Sequence, residues 1–172
     1  MTAPLLGVKN ARAVLVSDGA YHRVARGMIE RSRRHCLCSL FIVDASPAMD
    51  RDLLVYDLLV CLEEAAWRGV DTRLLIGGSR DNLEIAELSY AARKTAARLG
   101  IPCRWLTSSD VRGSHAKLVI CDDQVLLGSH NWSGGAFTSQ TQDSVHVVSA
   151  DLAAVLANEF ELQWTRAEAS DA

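Results

Sequence analysis

The apolar positions of this chain switch repeatedly between strand-like runs and helical spacing. Residues 12–17 (Arg-Ala-Val-Leu-Val-Ser) form a short aliphatic run that predicts a strand. Asp18-Gly19 interrupts it, and Tyr21, Val24, Ala25 and Met28 then mark one face of a helix reaching about Arg34. Residues 36–43 are almost continuously apolar, as expected of a strand buried on both faces. Asp50 or Asp52 can cap a second helix, which carries Leu54, Leu58, Cys61, Leu62 and Ala65 on one stripe and ends at Gly69. Residues 71–76 predict the next strand, closed by Gly77-Gly78. A longer helix follows over about 81–99, with Ile85, Leu88, Ala92, Ala96 and Leu99 in register, and Gly100 and Pro102 stop it. Residues 103–106 predict a short strand. Residues 115–121 and 124–128 predict two apolar strands around an Asp122-Asp123 turn. Residues 144–148 predict a further strand. A last helix over about 151–164 places Leu152, Val155, Leu156, Phe160 and Trp164 on its inner face.

Three strand–helix alternations followed by a cluster of strands describe an α/β layered domain, a mixed central β-sheet flanked by helices. Residues 1–11 read as an N-terminal extension, 12–166 as a single domain and 167–172 as a frayed tail. A length of 172 residues is enough for one domain with a full core.

Composition narrows the setting more than the chemistry. The net charge of −3 gives no sign of the basic face that nucleic-acid enzymes often carry, although a total does not describe local patches. The five cysteines are odd in number, and most lie inside apolar runs, which reads as buried reduced thiols. Cys36-x-Cys38 is too short a spacing for a zinc knuckle, and no Cys/His pair completes a metal site elsewhere. Neither a metal nor a cofactor is expected. The N-terminus lacks a charged segment followed by a long apolar stretch, so no signal peptide is expected. No apolar run approaches the roughly 20 residues of a membrane span. A cytoplasmic location is the expectation.

The chemistry concentrates in the segment that runs from His115-Ala116-Lys117 through Asp122 to Gly128-Ser129-His130-Asn131-Trp132-Ser133. Residues two apart on a strand point to one side, so His115 and Lys117 share a face. Ser129 and Asn131 sit at the tip of the following strand. An imidazole, an ammonium, a hydroxyl and an amide converging on one point describe a phosphate site. The imidazole can attack phosphorus, while Lys117 and Asn131 neutralise and bind the non-bridging oxygens.

The same residues carry a family resemblance. His115, Lys117, Asp122, Gly128, Ser129 and Asn131 match the H-x-K-x4-D…G-S-x-N signature of the phospholipase D superfamily, the HKD motif. The order of elements over about residues 12–166 resembles the small single-motif members, the bacterial endonucleases and related mitochondrial and germline nucleases. The resemblance implies a phospholipase D-like fold and a phosphohistidine mechanism, and it assigns the motif aspartate, here Asp122, to organising the fold. Two departures stand out. Five residues, 123–127, separate the aspartate from the glycine, one fewer than the family commonly has, which implies a tighter hairpin. Where small members begin the next strand with a glutamate that holds the nucleophilic histidine, the nearest candidate here is Asp143, one methylene shorter.

The expected catalytic set is therefore His115, Lys117, Asn131, Ser129 and Asp143. Arg112, three residues before His115, together with His130 and Trp132, are candidates for substrate binding. Arg80 and Arg104 are weaker ones. His22, His35 and His146 lack such context and read as structural, and Arg31, Arg33 and Arg34 as a solvated helix end. None of the other four histidines is followed by a lysine two residues on. The second histidine that a phosphohistidine cycle needs must then come from another chain, so a homodimer is expected, with two motifs meeting on its axis. A nuclease acting on DNA or RNA is the first functional expectation. A phospholipase D or phosphatidyl transferase is the second, disfavoured by the lack of an amphipathic surface helix. A non-enzymatic nucleic-acid-binding member of the fold is the third.

Overall fold

The alternating segments assemble around one mixed sheet. The computed structural model describes residues 7–8, 11–45, 53–107 and 113–169. In chain order the elements are β1 (Arg12–Ser17), α1 (Ala20–Arg31), β2 (His35–Leu40), α2 (Leu53–Trp67), β3 (Asp71–Ile76), α3 (Leu83–Arg98), β4 (Cys103–Trp105), β5 (Lys117–Cys121), β6 (Gln124–Gly128), α4 (Gly134–Thr138), β7 (Asp143–Val148), α5 (Ala150–Arg166) and β8 (Glu168–Ala169). The strands lie in the order β1-β7-β6-β5-β2-β3-β4-β8. β2, β3 and β4 run parallel, with α2 and α3 as their crossovers, and all other pairs are antiparallel.

β2 is central, and its residues from Cys36 to Leu40 are all buried, as its continuous apolar run predicts. Cys36, Cys38 and Leu40 join the larger core with Tyr21, Met28, Leu58 and Leu62 of α1 and α2. Leu37 points the other way, into a smaller core with Ile120, Val125 and Phe160 of α5. All five cysteines are free and buried.

On this second face α5 leaves part of the sheet bare. Leu15, Val145 and Leu127 stand in one register row across β1, β7 and β6. They share the face of Leu118, which pairs with Leu127 and packs into the α5 core. They are 67%, 36% and 39% exposed, although all three are large and apolar.

The structure departs from the sequence expectations mainly at element ends. α1 stops at Arg31 because the backbone amide and hydroxyl of Ser32 both turn back to the Ile29 carbonyl. β2 stops at Leu40, and β7 starts one residue early, at Asp143. Within the tail expected to fray, Glu168 and Ala169 form β8, which pairs with β4, and Glu168 is held by Arg80. The short helix α4 has no apolar stripe long enough to announce it, but its Ser133 cap is plain, with the hydroxyl accepting from the Ala136 amide. Asp50 and Asp52, the expected caps of α2, and most of the N-terminal extension lie outside the described residues.

Asp122 ties the β5–β6 turn to the rest of the sheet. It sits at a φ of 56°, a conformation that aspartate tolerates better than most side chains. Its carboxylate accepts the backbone amides of Arg33, Arg34 and His35 at 2.9, 2.9 and 3.2 Å. Partial burial works to raise its pKa, but these amides, with the Arg34 guanidinium, hold it below the usual aspartate value of 3.8. Its contribution to stability is therefore in place above that value and is lost as the pH falls through the lowered one. Asp122→Asn keeps the turn geometry but removes the charge and an acceptor. It is expected to lower unfolding stability at pH 7 by about 1–2 kcal/mol in urea titrations. The gap to the unsubstituted protein should narrow as the pH falls below 3.8. An unchanged gap at low pH would mean that the carboxylate charge contributes nothing.

Candidate active site

The C-terminal ends of β2, β3, β4 and β6 and the N-terminal ends of β5 and β7 meet at one edge of the sheet. His115 enters there in the extended lead to β5. The preceding residue is clamped from three sides. The Ser114 amide donates to the Leu106 carbonyl at 3.1 Å, and its hydroxyl meets that of Ser39 at 3.2 Å. Its carbonyl presses on Gly77, where an added Cβ would lie 1.9 Å away. Only glycine permits β3 to end so close to the strand that delivers the histidine.

His115 and Lys117 lie side by side, as their spacing predicts. The Lys117 ammonium is 3.0 Å from His115 Nδ1 and donates to the His115 carbonyl at 3.0 Å. Phe41, just past the end of β2, backs both. Its ring lies 4.2 Å from the His115 ring, and Lys117 Nζ stands 4.9 Å above it. Phe41 was not singled out from the sequence, because within the apolar run of residues 36–43 nothing distinguishes it from a core residue. Desolvation, then the adjacent Lys117 charge, lower the His115 pKa. Desolvation also lowers that of Lys117. A neutral imidazole beside a cation is the state required of a nucleophile aimed at an anion.

The tip of β6 delivers the other two groups by strict alternation. Ser129 and Asn131 face outward, whereas His130 and Trp132 are completely buried. Asn131 Oδ1 accepts the Ile42 amide at 3.2 Å, and its Nδ2 makes no hydrogen bond among the described residues. Adjacent residues, Phe41 and Ile42, thus hold His115 and Asn131. Ser129 is tied to the start of β7: its amide donates to the Asp143 carbonyl at 2.9 Å, and its hydroxyl bonds the Gln142 side chain. Gly128 makes this possible, because a Cβ there would lie 2.4 Å from both the Asp143 carbonyl oxygen and Ser144 Cα.

His130 and Trp132, expected as substrate contacts, occupy the core. His130 stacks on Tyr21 at 4.4 Å, and its two nitrogens meet Ser144 Oγ at 2.8 Å and the Asp18 carbonyl at 3.1 Å. Trp132 donates its indole N–H to the Tyr21 hydroxyl at 3.2 Å. Neither has a polar atom left for a ligand. Asp143 accepts from the Ser17 hydroxyl at 2.6 Å and makes no hydrogen bond to His115 within the chain. Arg80 is paired with Glu168, and Arg104 donates to the Trp164 carbonyl at 2.7 Å. Arg112 lies outside the described residues. His22 meets Asp57 at 2.9 Å and His146 meets Gln124 at 3.1 Å, both away from the motif.

The site's electrostatics can be read directly by a histidine-resolved NMR titration. His115 is expected to titrate below the ordinary value of 6.5. Lys117→Met should raise its pKa only part of the way back, because desolvation is the larger cause. A His115 pKa at or above 6.5 in the unsubstituted protein would contradict this geometry.

Comparison with known proteins places this geometry in a family. The family model described as cardiolipin synthase, PLD-like domain, matches residues 27–164. No curated protein matches the chain. Among solved structures, Nuc, a phospholipase D family member from Salmonella typhimurium, superposes with a TM-score of 0.73 at 20% identity, over 95% of this chain and 100% of Nuc. NucT from Helicobacter pylori superposes with a TM-score of 0.67 at 14% identity, over 93% and 99% of the two chains. Phosphatidylserine synthase from Haemophilus influenzae Rd KW20 superposes at 0.66 and 12% identity, over 89% of this chain but 36% of that one. The fold, the matched family model and the motif residues at one sheet edge agree, and the chain belongs to the phospholipase D superfamily, whose PLD-like domain it carries.

Proposed function

We propose that the protein is a metal-independent phosphodiesterase, a nuclease that cuts DNA or RNA through a phosphohistidine intermediate at a homodimer interface. The observation that carries this reading is the His115 imidazole held beside the Lys117 ammonium, with Asn131 fixed on the neighbouring residue of the same β2 extension. In the first step His115 forms a bond to phosphorus as the bond to the leaving oxygen breaks. Lys117 and the free Asn131 amide take up the charge on the non-bridging oxygens. The leaving oxygen needs a proton, and the phosphohistidine then needs a water activated by a base. One group can do both in turn, and a second His115 from a partner copy fits that role.

Two features support pairing of chains. The sequence holds one His-x-Lys motif. The exposed row of Leu15, Val145 and Leu127 borders the edge that carries the site, on the face that α5 leaves bare. A second copy seated there would cover apolar surface and bring the two motifs together. Full-length likeness to the small Nuc and NucT folds supports the nuclease reading. A second reading, a phosphatidyl transferase acting on lipid phosphodiesters, draws on the cardiolipin synthase description of the family and the phosphatidylserine synthase likeness. Among the described residues no helix is long and apolar enough to cross a membrane.

Incubation with DNA, RNA and phosphatidylcholine vesicles in EDTA separates these readings. Nucleic acid is expected to be cleaved with the chelator present, and His115→Ala should abolish cleavage while the protein stays folded. Strict dependence on added Mg²⁺, or turnover of the vesicles alone, would overturn the nuclease proposal. For the assembly, Leu127→Asp places a charge in the exposed row. It should convert a dimer into a monomer in sedimentation and abolish turnover with the circular dichroism spectrum retained. A fully active monomer would refute the shared site.

A further inference from the structure

A cavity of about 370 Å³ opens beside His115, on the side of α5. His115, Ser114 and Leu106 form its sheet wall, and Glu159, Gln163 and Arg166 from the last turns of α5 form the other. Its size is that of a small-ligand pocket, for which about 300–1,000 Å³ is usual.

Three properties of this cavity are unused by the mechanism above. First, the Gln163 carboxamide oxygen is buried and has no hydrogen-bond partner among the described residues. A buried acceptor without a partner is costly, so it is seldom left without a purpose. Gln163 lines the cavity, and the terminal torsion of glutamine is soft, so its amide can rotate to meet a ligand there. Second, Arg166 makes one hydrogen bond, from Nε to the Leu162 carbonyl at 3.0 Å, and forms no ion pair among the described residues. Its terminal nitrogens remain available to an anion. Third, the walls are mainly polar, with Leu106 and Ala116 the apolar members. An acyl chain would find little to pack on.

We propose that this cavity is a nucleotide subsite: it takes the unpaired base next to the scissile phosphate, with Gln163 reading a base amino or imino group and Arg166 gripping the adjoining phosphate. The proposal rests on the nuclease reading and adds a substrate preference to it. A base can enter a pocket of this size only when it is out of a duplex, so single strands are the favoured substrate. Gln163 is the specificity-determining residue, because its acceptor rewards a base that presents a donor. Glu159, at the rim, adds a second acceptor and also disfavours a second phosphate on that side.

The test compares kcat/KM for a labelled single-stranded oligonucleotide, its duplex and bis(4-nitrophenyl) phosphate, a phosphodiester without bases. The unsubstituted protein is expected to prefer the single strand over the duplex. In Gln163→Leu and Arg166→Gln the ratio of oligonucleotide to bis(4-nitrophenyl) phosphate kcat/KM should fall about tenfold, through KM, as expected for loss of one hydrogen bond to a charged or orphan group. Fluorescence anisotropy with His115→Ala should show the same weakening of oligonucleotide binding in the double variants. An unchanged ratio, or equal cutting of duplex and single strand, overturns the subsite while leaving the nuclease reading standing. Turnover of bis(4-nitrophenyl) phosphate with no cleavage of any nucleic acid overturns both.

Discussion

The site depends on a backbone contact that leaves no room for a side chain. The Ser114 carbonyl lies against Gly77 at the end of β3, and through it the approach to β5 is locked to the parallel half of the sheet. That contact sets where His115 begins, and β5 then fixes Lys117 opposite Leu40. A second contact of the same kind, Gly128 on the start of β7, sets where Ser129 and Asn131 leave the sheet. Two glycines, far apart in sequence, thus locate the motif side chains to within the tolerance of packed backbone, which loops alone do not achieve.

Between these anchors the β2 extension acts as a common frame. Phe41 backs the imidazole and the ammonium, and the Ile42 amide orients the Asn131 carboxamide. The inward residues of the motif tip complete the frame from behind. Tyr21 receives the Trp132 indole and stacks on His130, so α1 supports the segment after β6 through three buried rings. The segment from Ser129 to Trp132 is thus, in space, an outward pair, Ser129 and Asn131, and an inward pair, His130 and Trp132, that holds the outward one still.

Much of the fold was legible because burial imposes period on sequence. The unbroken run of β2, the stripe of α2 and the hairpin turn at Asp122 announced themselves, and the α/β layered sheet followed. Element ends were less legible. Ser32 closing α1 and Glu168 recruiting the tail into β8 are decided by single hydrogen bonds and ion pairs formed with distant residues. At the site, His115 and Lys117 were readable because spacing on a strand fixes a shared face. The burial of His130 and Trp132 was not readable, because the alternation that buries them starts only after β6, in a segment whose extended geometry the Gly-Ser-x-Asn pattern does not reveal. Phe41 and the α5 wall of the cavity come from other parts of the chain, and only the tertiary packing brings them to the histidine.

The pairing of Lys117 with His115 has one further consequence. The Lys117 ammonium lies within hydrogen-bond distance of the His115 imidazole and also donates to that residue's own carbonyl. In the reaction proposed above, the attacking lone pair is then occupied until an anion arrives to claim the lysine. A phosphate group entering the site competes for Lys117 and frees the ring in the same motion. On that proposal the site is self-capped: the attacking nitrogen is masked against stray electrophiles and is uncovered by the charge of the phosphodiester itself.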